Sequence, residues 1–310
     1  MPDAAARAWF ASIYDRLYSE TSQLRIERLI VDLSAAGLLA HLALVFLARA
    51  LANPPALISA VGRNYLAAIY TPFSFILFYE VLMLIAALPH STTQSIAKQY
   101  EIVSLIFIRR FFKDIAELDD IGRLTRFSPD VWPVFFDVLA GLGMFLLVTV
   151  FLDVARRRFV PEVRSKISPE LKKFISRKKG IAVALTALLV SLAANSLWEF
   201  GYEVSQVLYY GAKTKLDPNI VYYNEVFTVM IFADVLIVIL SLAVSDRYEL
   251  VFRNGAFVIS TILIRFSLTV PAPLSAELAG AGMLTGILML AIYNYHTRVR
   301  EPVAQRLMRL

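Results

Sequence analysis

The sequence predicts an all-α, polytopic membrane protein of about eight transmembrane helices, arranged as two parallel four-helix repeats. Three observations carry that prediction. The first is composition: 58% of the 310 residues are apolar and 18% are Asp, Glu, Lys or Arg, against about 45–50% and about 25% in soluble domains. The second is segmentation. A helix needs roughly 20 mostly apolar residues to cross a hydrocarbon core of about 30 Å, and runs of that length recur along the whole chain. The third is charge placement, since Lys and Arg gather in alternate connections between those runs.

The eight expected spans, in order, are Leu29–Ala52, Tyr65–Leu88, Gln99–Leu118, Val131–Ala155, Ile181–Tyr202, Ile220–Val244, Asn254–Val270 and Leu278–His296. The third is the weakest, because its apolar run from Ile102 to Ile108 stops at Arg109 and Arg110. Sidedness retains it. With the N-terminus inside, 21 of the 31 Lys and Arg fall on the cytoplasmic side, the pattern expected because positive loops resist translocation. Without the third crossing the most basic connection would face outward. Both termini are therefore expected in the cytoplasm. Five regions follow: an amphipathic, interfacial helix over 1–28, a membrane repeat over 29–155, a basic cytoplasmic linker over 156–180, a second repeat over 181–296 and a basic tail over 297–310.

In residues 1–28, Trp9, Phe10, Ile13, Leu17 and Leu24 recur every three or four positions with charges between them. That pattern suits a helix lying in the headgroup layer or one packed on protein. Residues 155–180 hold ten Lys and Arg against Glu162 and Glu170, more positive charge than the net +6 of the whole chain. Arg156, Arg157, Arg158, Lys172, Lys173, Lys178 and Lys179 are the candidate contacts to anionic lipid headgroups or a partner, each worth about 1 kcal/mol near an anionic surface. Only Phe159 and Phe174 lie among these charges and no groove-reading module accompanies them, so nucleic acid is not an expected partner. A homo-oligomer or a larger membrane complex is left open.

The repeat is read from three matches in the same order. Phe78-Tyr79-Glu80-Val81-Leu82 parallels Phe232-Ala233-Asp234-Val235-Leu236. Arg110-Phe111 parallels Arg265-Phe266, and Leu139-Ala140-Gly141-Leu142-Gly143-Met144 parallels Leu278-Ala279-Gly280-Ala281-Gly282-Met283. Each half thus carries an acid in its second helix and an arginine in its third. A charge at mid-bilayer costs about 2.5 kcal/mol or more, so these four are expected to face the bundle interior as the pairs Glu80–Arg110 and Asp234–Arg265. Arg109 is expected to face outward or to snorkel. The groups would serve either as an ion or substrate path or as salt bridges fixing helix register. Arginines at every third position, which a voltage sensor needs, do not occur.

No chemistry-bearing motif is found. The chain has no cysteine, and His41, His90 and His296 are too dispersed for a metal site by spacing. No nucleophile elbow, phosphate loop or dinucleotide fingerprint is present, so no catalytic, cofactor-binding or metal residues are assigned. Gly282 and Gly286 form a small-xxx-small face for close packing of another helix. The expectation is a transporter or channel for an ion or small solute, or else a scaffold, sensor or assembly subunit. Absence of cysteine and of an address signal fits a bacterial inner membrane.

Overall fold

The computed structural model describes residues 2–61, 64–117, 131–157, 169–210, 223–242, 248–271 and 273–307. Among them all regular structure is helical. The elements are α1 (Pro2–Leu17), α2 (Glu20–Ala50), α3 (Ala56–Ala60), α4 (Ala67–Ala87), α5 (Thr92–Glu117), α6 (Val131–Arg156), α7 (Pro169–Tyr210), α8 (Tyr223–Leu242), α9 (Tyr248–Thr269) and α10 (Leu274–Leu307). The eight elements of 20 residues or more fall where the sequence places spans. Six of them are long and apolar enough to cross a membrane: α2, α4, α6, α7, α9 and α10. In α5, Lys98, Glu101, Arg109 and Arg110 interrupt the apolar run, and in α8 the described apolar stretch is the shorter Thr228–Ile237.

The molecule is apolar on its outside. Leu39 and Phe46 of α2, Leu142, Phe145 and Leu146 of α6, Ile239 of α8 and Leu288 of α10 are all exposed. In water such surface would drive association. Among lipid tails it is the natural outer face, and the interior is then the place for small and polar residues.

Inside, two apolar cores lie side by side. One is built from α4, α7 and α8 with Tyr14, Tyr18 and Ile102 added, and centres on Val81, Ile85, Leu189 and Met230. The other fills the four-helix group α5, α6, α9 and α10 around Tyr100, Phe107, Phe151, Phe257 and Met283. Helix α5 meets α4 on one side and α6 and α9 on the other, so α5 and α9 form the wall between the cores. Glycines set its closest approaches. A Cβ on Gly141 of α6 would meet Ile108 Cγ1 of α5 at 2.8 Å, and one on Gly282 of α10 would meet the Ser260 carbonyl and Ile264 of α9 at 2.9 Å. Gly286 faces Tyr100, whose hydroxyl lies 2.6 Å from that of Ser260. The small-xxx-small face is thus used within the chain.

Two expected boundaries are corrected. Residues 1–28 are not one helix, because Ser19 N-caps α2, accepting a hydrogen bond from the Ser22 N–H. A Ser cap outcompetes continuation by satisfying an otherwise orphaned donor. Ile26 and the residues around it therefore belong to the first long helix, while α1 packs on α7 through Tyr14 and Tyr18 and leaves Trp9, Phe10 and Leu17 exposed. Of the expected 156–180 linker, residues 158–168 lie outside the described residues, and residues 169–180 belong to a long helix. Helix α6 runs on to Arg156, and α7 begins at Pro169 and continues for 42 residues, about 63 Å. Lys and Arg are good helix formers, so a basic stretch continues a membrane helix into the aqueous layer without a break.

Candidate functional site

Polar side chains converge where the two cores meet, near the end of the bundle covered by α1. Each core edge brings an acid and an arginine on consecutive helices. On α8 and α9, Arg265 Nη2 donates to Asp234 Oδ2 at 3.0 Å, with both side chains buried. On α4 and α5, Glu80 pairs with Arg109, again with both buried, and Arg109 Nη1 also donates to the Phe73 carbonyl at 3.2 Å. The expected pairing of Glu80 with Arg110 is therefore corrected to Arg109, and the outward orientation expected for Arg109 is overturned. Adjacent positions on a helix point about 100° apart. Arg109 falls on the α4 side, and Arg110 turns away towards α9 and α10, donating to Ser275 Oγ at 2.5 Å and to the Ser267 carbonyl at 3.3 Å. The latter is among the last carbonyls of α9, where a cation is favoured by the helix dipole. In both pairs the residue preceding the arginine, Ile108 or Ile264, is the one accommodated by a glycine of the next helix, Gly141 or Gly282.

A cavity of ≈ 30 Å³, walled mostly by apolar surface with a few polar groups, reaches Asp234. Its walls come from the start of α5 (Thr92, Ser95 and Gln99), from α7 (Lys178) and from α9 (Asn254 and Thr261), with Leu88, Ile96, Ile237 and Phe257 completing it. By the space a water molecule requires, it accommodates about two. Glu80 is not among its lining residues.

Lys178, expected to face lipid or a partner, turns inward instead. It is 3% exposed and donates to the His90 carbonyl at 2.7 Å, closing the connection between α4 and α5. Lys179 pairs with Asp15 of α1 at 2.6 Å. Two further contacts hold α1 in place: Tyr14 donates to the Ala86 carbonyl at 2.5 Å, and the Tyr18 and Thr186 hydroxyls are 2.5 Å apart. Burial disfavours the charged phenolate and pushes the pKa of both phenols up, that of Tyr18 to about 12. Lys172, Lys173, Arg156 and Arg157 remain exposed, and Arg157 pairs with Asp153 at 2.6 Å. Arg158 lies outside the described residues.

Several residues of this site were not anticipated. The sequence marks Gln99 only as the first residue of the third span and does not single out Ser95, yet their i, i+4 spacing places both on one face of α5. Asn254 and Thr261 of α9 are seven apart, two turns on one face. His41, by contrast, sits as a hydrogen-bonded packing group, its Nδ1 2.6 Å from the Thr71 hydroxyl. Among the described residues no group of three or more His, Cys, Asp or Glu is placed to hold a metal ion. A search of family models, curated proteins and solved structures finds nothing that this chain matches.

Proposed function

We propose that the chain is a transporter or channel that moves an ion or small solute along the polar seam between its two helical cores. The observation that carries this reading is the cavity at the junction of the cores, which reaches the buried Asp234–Arg265 pair and is lined by Lys178. Charged groups buried in a membrane protein are costly and are retained where they serve a path or a partner. The second acid–arginine pair, Glu80–Arg109, repeats the arrangement in the other half. With the arginine one residue out of the register read from the sequence, it supports a duplicated origin in the order of acid and arginine helices, as two parallel four-helix units related by an axis near the membrane normal. In this reading all eight long helices cross, both termini and the basic residues of α6 and α7 lie in the cytoplasm, and the membrane is the bacterial inner membrane.

A second reading has a specific observation in its favour. Helix α1 is fastened to α7 while its Trp9, Phe10 and Leu17 stay exposed, beside the exposed Lys172 and Lys173. That combination of aromatic and basic residues suits the surface of an anionic leaflet and is what a scaffold or sensor subunit would present.

Flux separates the two. In proteoliposomes, Asp234→Asn and Glu80→Gln abolish ion- or pH-dependent uptake if the seam is a path, while the folded yield stays near wild type. Loss of folding in both variants, with yield restored by exchanging the partners (Asp234→Arg with Arg265→Asp), would assign the charges to architecture and leave the scaffold reading in place.

A further inference from the structure

The cavity holds more hydrogen-bonding capacity than its walls use. Gln99 is 4% exposed and Ser95 6%, both line the cavity, and neither side chain makes a hydrogen bond within the described residues. Buried polar groups are otherwise nearly always satisfied. Lys178 contributes an ammonium whose partner is the neutral His90 carbonyl. The one carboxylate on the cavity wall, Asp234, is engaged by Arg265. Asp234 attracts two cations, Arg265 and Lys178, so the three together carry one positive charge in surplus, and buried charge left over in this way is costly unless a further counter-charge sits near it. Thr92, the first residue of α5, also lines the cavity and brings the positive end of that helix to it.

We propose that this cavity is a binding site for a small monovalent inorganic anion of the halide class, cradled by Lys178, Gln99 and Ser95. Three features select that class. The surplus charge is positive, which disfavours a metal cation. The uncommitted neutral groups, an amide NH2 and a hydroxyl, can both donate to an anion. The space of about two waters excludes a substituted carboxylate or a lipid headgroup. The repulsion from Asp234, which lines the same cavity, is offset by its ion pair with Arg265. The inference names the substrate class for the transport function proposed above, and rests on that reading only where flux is concerned.

The test uses the full chain in nanodiscs of neutral lipid, with chloride replaced by gluconate in the starting buffer. Chloride binding is read by broadening of the chloride NMR line and by thermal stabilisation. Binding should be saturable, displaced by bromide and unaffected by gluconate. Gln99→Leu and Lys178→Met should each weaken it about tenfold or more, as expected for loss of a hydrogen bond to a charged group, and Lys178→Arg should retain most of it. Lys98→Met, which touches only the exposed pair with Glu101, should leave it unchanged. Should Lys178→Met fail to accumulate, Gln99→Leu and Ser95→Ala decide, because neither removes a charge. Absence of saturable chloride binding in the wild type, or full binding in Gln99→Leu and Ser95→Ala, overturns the proposal, as does binding of inorganic phosphate without halide. Radiolabelled chloride uptake in proteoliposomes then separates the two readings. Binding without uptake of any ion keeps the site and refutes transport. Uptake of another solute by a chain that does not bind chloride keeps transport and refutes the site.

Discussion

Replacing Gly286 by alanine adds one methyl group at the tightest point between the helices. That methyl would stand 1.8 Å from the Tyr100 hydroxyl oxygen and 3.0 Å from its ring carbon, where ordinary contact begins near 3.4 Å. Tyr100 is fully buried and its hydroxyl is engaged with Ser260 at 2.6 Å. It has to retreat by about 1.6 Å, losing that hydrogen bond and pressing on Phe151 at a ring separation of 4.8 Å. Overpacking of this kind costs about 1–3 kcal/mol and a lost buried hydrogen bond about 1 kcal/mol, partly offset by the better helix propensity of alanine, about 1 kcal/mol. The net expectation is a loss of about 1–3 kcal/mol, read as a fall of several degrees in the unfolding midpoint of the detergent-solubilised chain. Gly280→Ala on the same helix is the internal control. Its Cβ would meet only Met144 Cε at 3.9 Å, so propensity alone acts and the midpoint holds or rises. Tyr100→Phe in the Gly286→Ala background should recover part of the loss, because the hydroxyl is the atom in the way. Equal midpoints for Gly286→Ala and Gly280→Ala would refute the close approach of α5, α9 and α10 on which the seam depends.

Other outcomes follow from the same geometry. Arg109→Met should destabilise by about 3–5 kcal/mol, the range for stranding one partner of a buried ion pair, whereas Glu80→Gln with Arg109→Met should cost less than Arg109→Met alone in the same melting assay. Arg110→Met should leave the Glu80 pair intact and loosen the contact of α5 with Ser275 and Ser267, detected as faster amide exchange at the end of α9. The tyrosine contacts that fasten α1 should depend on pH in the alkaline range. Folding favours the neutral Tyr18 phenol, so its contribution is complete below pH 10, the ordinary value, and is lost as pH rises towards about 12. Trp9 emission and proteolysis within α1 should change across that interval, and a change centred near neutrality would refute the assignment. Cysteine placed at Lys172 and labelled from one side of intact cells should react only from the cytoplasm if the proposed sidedness holds.

The helices were legible because lipid imposes a coarse rule. Any stretch of some twenty apolar residues that must satisfy its own backbone becomes a helix, and the spans around Leu29, Tyr65, Val131, Ile181 and Leu278 needed nothing more. Ends were harder. Lys172 to Lys179 looked like a change of region, yet charge alone does not stop a helix, and α7 passes through them. The pairing arginine was illegible for a different reason. Arg109 and Arg110 are chemically identical neighbours, and only the position of α4 relative to α5 decides which one meets Glu80. The cavity was hidden by scale, since Ser95, Gln99, Lys178, Asn254 and Thr261 come from three helices and carry no signature until those helices are assembled. Ser95 and Gln99 did offer a local hint, as two polar residues on one face at the start of an apolar run.

Neighbouring guanidinium groups anchored on different helices make α5 a beam bolted to both cores. Turning it about its own axis to release Arg109 would drag Arg110 off the end of α9, and the reverse holds equally. Sliding along its length strains both fastenings together and tears neither first. A displacement of either core therefore loads this helix and is felt at the other core.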